Sequence, residues 1–125
     1  MKNSKKCILV VDDDRALLKM VRSGLMYQGY DVHTASSGEK GLRTAQQKKP
    51  DLIILDVLLP GIKGREVCSR LKEDNETKDI PIVFLTAKNS PDDVRAELEA
   101  GAIAHLTKPV SIQGLVNEIQ KILGV

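Results

Sequence analysis

Two short runs of the chain contain no charged or strongly polar residue: Cys7-Ile8-Leu9-Val10-Val11 and Leu52-Ile53-Ile54-Leu55. Each is too short for a buried helix and is rich in branched side chains. Such runs read as strands covered on both faces, as in the interior of a parallel sheet. Each also ends in acid, Asp12-Asp13-Asp14 after the first and Asp56 after the second. Pro60-Gly61 then turns the chain away. Asp56 is therefore expected at the carboxyl end of a central strand, the edge at which open α/β sheets bind ligands.

Around these runs the pattern alternates. Leu17, Met20, Val21, Gly24 and Leu25 recur at helical spacing, with Asp14 as N-cap and Gly29 as stop. Asp31–Ala35 alternates as a sheet-edge strand would. Ser36 or Ser37 opens a second helix with Glu39 in its first turn and Leu42 and Ala45 facing inward, and Pro50 ends the segment. A third helix is expected from about Lys63 to Glu73, burying Val67 and Leu71. A fourth strand follows over Ile80–Thr86. Ser90-Pro91-Asp92-Asp93 starts a weakly anchored helix with only Val94 and Leu98 on its apolar side. Ala102–Thr107 reads as a fifth strand, and Ser111 caps a last helix through Leu115, Ile119 and Ile122.

Five strand–helix units in this order predict a doubly wound α/β domain, a parallel sheet with right-handed crossovers and helices on both faces. A chain of 125 residues suits one domain rather than two, here taken as 1–125 with an ordered core of about 6–123. The only aromatics are Tyr27, Tyr30 and Phe84, which leaves no stacking platform for single-stranded nucleic acid. A net charge of +2 is too balanced to suggest DNA binding by bulk charge, and the basic cluster Lys2, Lys5 and Lys6 reads as a solvated tail. No apolar run approaches the roughly 20 residues of a membrane span, and the N-terminus does not read as a secretory signal. Cys7 and Cys68 match no zinc spacing and no disulfide scaffold, so reduced thiols in the cytoplasm are expected.

Parallel strands deliver their carboxyl ends to one edge. Asp12, Asp13, Asp56, Thr86 and Lys108 should therefore share a rim. Three carboxylates there would repel one another and raise at least one pKa unless something positive is present. A hard divalent cation, Mg²⁺, resolves the conflict. Lys108 adds a point charge suited to a phosphate oxygen and Thr86 a hydroxyl donor. Together these are the parts needed to move a phosphoryl group onto a carboxylate oxygen.

Val10-Val11-Asp12-Asp13, Asp56-Val57-Leu58-Leu59-Pro60 with Gly64, Thr86-Ala87 and Lys108-Pro109 resemble the receiver domain of bacterial two-component response regulators (CheY-like), in order and along essentially the whole chain. The resemblance implies a flavodoxin-like sheet of order 2-1-3-4-5. It implies Asp56 as phosphoacceptor from a sensor histidine kinase, a histidine phosphotransfer protein or a small phosphodonor. Asp13, Asp56 and the backbone carbonyl of Leu58 would bind Mg²⁺, with Mn²⁺ as substitute, and Asp12 would hold a metal-bound water. Lys108 would pair with the phosphoryl group, Thr86 would swing in to hydrogen-bond it, and the Lys108-Pro109 bond would be cis. The protein would be a switch rather than a turnover enzyme. It would act on a downstream protein through the face formed by the fourth helix, fifth strand and fifth helix, as a monomer or a phosphorylation-linked dimer, without binding nucleic acid directly.

Departures from the family pattern are informative. His105 stands where the family often places Tyr or Phe as a switch residue, and reads more simply as a half-exposed edge-strand histidine. Val110 and Leu59 replace Phe and Met as volume-tolerant swaps. By the resemblance, Leu58 and Lys88 would flank the path of hydrolytic water, and an apolar Leu58 there would imply slow loss of the phosphoryl group. Two rivals stand beside the signalling reading. A flavin or nucleotide enzyme would need a phosphate loop where Asp12-Asp13-Asp14 stands. A phosphorylation-independent scaffold would keep the same pocket without its chemistry.

Overall fold

The computed structural model describes residues 5–124. The expected basic tail falls partly on Lys2, outside the described residues. Ten elements alternate: β1 (Cys7–Val11), α1 (Arg15–Tyr27), β2 (Asp31–Ala35), α2 (Gly38–Lys48), β3 (Leu52–Leu55), α3 (Gly64–Glu73), β4 (Ile82–Thr86), α4 (Pro91–Glu99), β5 (Ala104–Thr107) and α5 (Ile112–Leu123). The five strands form one sheet in the order β2-β1-β3-β4-β5, every neighbouring pair parallel. Both the doubly wound class and the strand order expected from the sequence are found.

Strand alternation divides the core into two layers. Ile8, Val10, Leu52, Ile54, Val83 and Leu85 face α1 and α5, meeting Leu18, Val21, Leu25, Leu115, Val116 and Ile119. Leu9, Val11, Ile53, Leu55, Ile82 and Phe84 face the other way, against Ala45 of α2 and Val67, Cys68 and Leu71 of α3. Because both faces of the three central strands are covered, their sequences are continuously apolar rather than alternating.

The helix starts follow their capping residues. Asp14 accepts from the Leu17 N–H, Ser37 from Lys40, Ser111 from Gly114, and Ser90 forms a capping box with Asp93 behind Pro91. Four local expectations are corrected. In α1 the buried stripe is Leu18, Val21 and Leu25, while Met20 is exposed; the apolar residues on this helix outnumber the positions its inner face provides. β4 begins at Ile82 rather than Ile80, since Pro81 has no N–H for the ladder and contributes only its carbonyl, to Ile53. β5 begins at Ala104 rather than Ala102. Gly101 turns there with φ +113° and the Ala102 N–H closes α4 by donating to Glu97. In α4 the buried side chain is Glu97, while Leu98 is 48% exposed.

One close approach fixes the segment after β3. A Cβ placed on Gly64 would lie 2.0 Å from the Asp56 carbonyl oxygen, and the Gly64 N–H donates to the Val57 carbonyl at 3.0 Å. Only glycine lets α3 begin hard against the strand end that carries Asp56. Among the described residues no helix is long and apolar enough to cross a membrane.

Candidate functional site

The ends of β1, β3 and β5 meet at one rim. Asp12 follows β1, its N–H donating to the Ala35 carbonyl at 3.1 Å; Asp56 follows β3, its N–H donating to the Val11 carbonyl at 3.0 Å. Both side chains are almost fully buried, whereas Asp13 is exposed. Lys108, after β5, is placed by its N–H donating to the Thr86 carbonyl at 2.9 Å and precedes a cis bond to Pro109. Its ammonium lies 2.7 Å from Asp12 Oδ2 and 3.1 Å from Asp56 Oδ2, bridging the two acids. The other oxygens are also engaged: Asp12 Oδ1 accepts from the Asp14 N–H at 2.9 Å, and Asp56 Oδ1 from the Leu58 N–H at 3.1 Å.

Burial pushes the Asp12 carboxyl pKa up, opposed by its hydrogen bonds from Lys108 and Asp14 and assisted by the Asp56 charge. The sequence led us to expect mutual repulsion as the main cause; removal from water outweighs it. Burial also works against the Lys108 charge, but the hydrogen bonds to Asp12 and Asp56 carry its pKa above that of an ordinary lysine. Carboxylate oxygens of Asp12, Asp13 and Asp56 lie within 4.8 Å of one another. Three acids against one ammonium leave an excess of negative charge on hard oxygen donors. That donor set fits Mg²⁺ and offers nothing to a thiophilic metal.

Thr86 is fully buried at the end of β4, and its hydroxyl accepts from the Lys88 N–H at 3.3 Å; no hydrogen bond joins it to Asp56. Ala87 and Lys88 are exposed, and Leu58 is 48% exposed beside Asp56. His105 corrects the expectation of a half-exposed edge residue. Its side chain is 10% exposed, Nδ1 shares a hydrogen bond with Oε1 of the buried Glu97, and Nε2 lies 3.3 Å from Thr107 Oγ1. Glu97 Oε2 is buried with no hydrogen-bond partner among the described residues. Sequence reasoning missed Glu97 because an acid on a polar helix normally faces water. It also missed the pairing of Lys108 with Asp12.

The fold and the rim together define a doubly wound α/β domain with an acidic, lysine-bridged carboxyl edge. Residues 8–120 match the response regulator receiver domain, and the chain belongs to that family. It is 43% identical over 116 residues to the transcriptional regulatory protein AfsQ1 of Streptomyces coelicolor, covering 93% of this chain and 50% of that protein. It is also 43% identical over 118 residues to the alkaline phosphatase synthesis transcriptional regulatory protein PhoP of Bacillus subtilis, covering 94% and 48%. The chain thus spans about half the length of these relatives. Among solved structures, the chemotaxis protein CheY4 of Vibrio cholerae superposes with a TM-score of 0.91 at 32% identity, covering 95% of this chain and 99% of that one. A CheY-like receiver domain protein from Methanospirillum hungatei gives 0.91 at 30% identity, covering 97% and 95%.

Proposed function

We propose that this chain, acting as one receiver unit, takes a phosphoryl group onto Asp56 and uses it to reset a protein-binding face. The observation that carries the reading is the Lys108 ammonium held between Asp12 and Asp56, beside a free-standing Asp13. In the transfer, a carboxylate oxygen of Asp56 attacks the phosphorus of a histidine kinase's or phosphotransfer protein's phosphohistidine. The O–P bond forms as the P–N bond breaks, and the imidazole leaves. Acetyl phosphate would react in the same way, with acetate leaving.

Asp13, Asp56 and the Leu58 carbonyl would hold Mg²⁺ (or Mn²⁺), with Asp12 accepting from a bound water. The ion, when bound, supplies positive charge that lets a phosphoryl group approach so acidic a rim. Lys108 then exchanges its contact with Asp56 for the phosphoryl oxygens, retaining Asp12. The Thr86 hydroxyl exchanges its Lys88 contact for the same group, and His105, whose ring meets Thr107, the register partner of Thr86, registers the change. The α4–β5–α5 face would bind the downstream protein, with cytoplasmic partners and no nucleic-acid contact from this segment. The half-exposed Leu58 gives hydrolytic water no polar partner, which favours a long-lived acyl phosphate.

The test is incubation with Mg²⁺ and acetyl phosphate followed by intact mass. One added phosphoryl group is expected, absent in Asp56→Asn and absent when Mg²⁺ is chelated. An unmodified wild-type chain, or an adduct that survives Asp56→Asn, would support a phosphorylation-independent scaffold instead.

A further inference from the structure

A second constellation lies at the opposite, amino edge of the sheet and plays no part in the site above. The parallel register pairs Cys7 of β1 with Asp31 of β2, and His33, two residues further on, points to the same face as Asp31. Cys7 Sγ, a carboxylate oxygen of Asp31 and a ring nitrogen of His33 lie within 4.8 Å of one another. His33 Nε2 and Asp31 Oδ2 are 3.6 Å apart. Tetrahedral Zn²⁺ holds sulfur, nitrogen and oxygen at about 2.0–2.3 Å, which sets its ligand atoms roughly 3.3–3.8 Å from one another. The His33–Asp31 pair already has that spacing, and the thiol, no more than 4.8 Å from either atom, needs a shift of at most roughly 1 Å to join them. We propose that Cys7, Asp31 and His33 form a three-ligand site for a thiophilic divalent ion, Zn²⁺ or its spectroscopic stand-in Co²⁺.

The surroundings favour a cation bound by a thiolate. The Cys7 N–H donates to Asp51 Oδ2 at 2.7 Å, and the Asp51 N–H donates back to the Cys7 carbonyl at 2.8 Å; this fixes the backbone and brings a further negative charge alongside. Burial first, then the charges of Asp31 and Asp51, push the Cys7 thiol pKa up, with Lys48 opposing. The same carboxylates that hold a proton on the sulfur would attract a metal ion in its place. Arg22 and Lys48 line the same surface hollow as His33. They disfavour a cation held by one carboxylate alone, so the negative charge of the thiolate is essential. Asp31 is exposed while Cys7 and His33 are half-buried, so an ion can enter and water can take the fourth position. Sulfur and imidazole select against Mg²⁺, which keeps this site distinct from the Asp12–Asp13–Asp56 rim.

The test is a Co²⁺ titration of the reduced full chain in excess Mg²⁺, which occupies the acidic rim. A near-ultraviolet thiolate-to-cobalt charge-transfer band is expected at stoichiometric cobalt and should be bleached by Zn²⁺. Cys7→Ser should abolish it, His33→Gln and Asp31→Asn should each weaken binding by at least about tenfold, and Asp56→Asn should leave it unchanged. Absence of the band from the wild-type chain, or its survival in Cys7→Ser, would overturn the proposal. Should Cys7→Ser fail to fold, His33→Gln decides: unaltered cobalt affinity in that variant would overturn it equally.

Discussion

The middle of the sheet and its β5 flank are held together in different ways. Every residue of β3 and β4 is buried, and so is all of β1 after Cys7; no polar side chain of these strands faces the core apart from Thr86 at the rim. On the flank no residue of β5 is fully buried, and α4 buries a single side chain, the carboxylate of Glu97, on His105. Leu98 and Ile103 are each about half exposed there. A close-packed apolar core is held by many contacts that all lose energy on displacement, whereas a flank held by one buried hydrogen-bonded pair depends on a single directional interaction. The centre can therefore keep the rim carboxylates fixed while the flank is repositioned at much lower cost.

The most severe test of that contrast is Phe84→Ala. Phe84 is the largest fully buried side chain, and its truncation should cost about 3–5 kcal/mol, read as a large fall in the urea midpoint. Glu97→Ala should cost less, about 1–3 kcal/mol, through the lost partner of His105. Its effect should also be local: amide exchange should quicken in α4 and β5 and stay slow in β1 and β3. Loss of protection throughout the sheet would break the comparison. Asp12→Asn should act in the opposite direction. The folded-state pKa of Asp12 is raised, so its favourable contribution is present when it is protonated and is lost as pH rises through that raised value. Removing the charge should raise the metal-free melting temperature by a few degrees at neutral pH and flatten the loss of stability on leaving the acid range. Mg²⁺ affinity should fall in the same variant. In the wild-type chain Mg²⁺ affinity should decline on acidification at a higher pH than an ordinary carboxylate would give, because protonating Asp12 removes the charge that would hold the ion's bound water; calorimetric titration across pH measures this. Smallest of all, Leu98→Ala should stay within about 0.5 kcal/mol, since its side chain already meets water.

These differences also explain what could be read from the residues alone. The central strands were legible because burial on both faces leaves runs such as Leu52–Leu55 with no competing interpretation. Caps at Asp14, Ser90 and Ser111 were legible because their chemistry is local, as was the rim, since a parallel sheet brings strand ends together whatever its loops do. Contacts that depend on side-chain direction between elements were not. Helical spacing offers Leu17 and Leu18 almost equally; Leu18 is the one that is buried, while Leu17 packs only partly buried at the margin of the same cluster. Glu97 is one residue from Leu98, and nothing local marks which of the two turns inward. His105 was judged by its place on an edge strand, yet its environment is set by a carboxylate from α4. Cys7, Asp31 and His33 are scattered in sequence and converge only through the β1–β2 register.

Gly64 has a mechanical corollary. With its backbone pressed so near the Asp56 carbonyl that not even a methyl group would fit, Gly64 ties the first turn of α3 directly to the strand end that carries the acid. Anyone grafting this aspartate into another scaffold would have to transplant the bare glycine with it, or the acid would aim elsewhere.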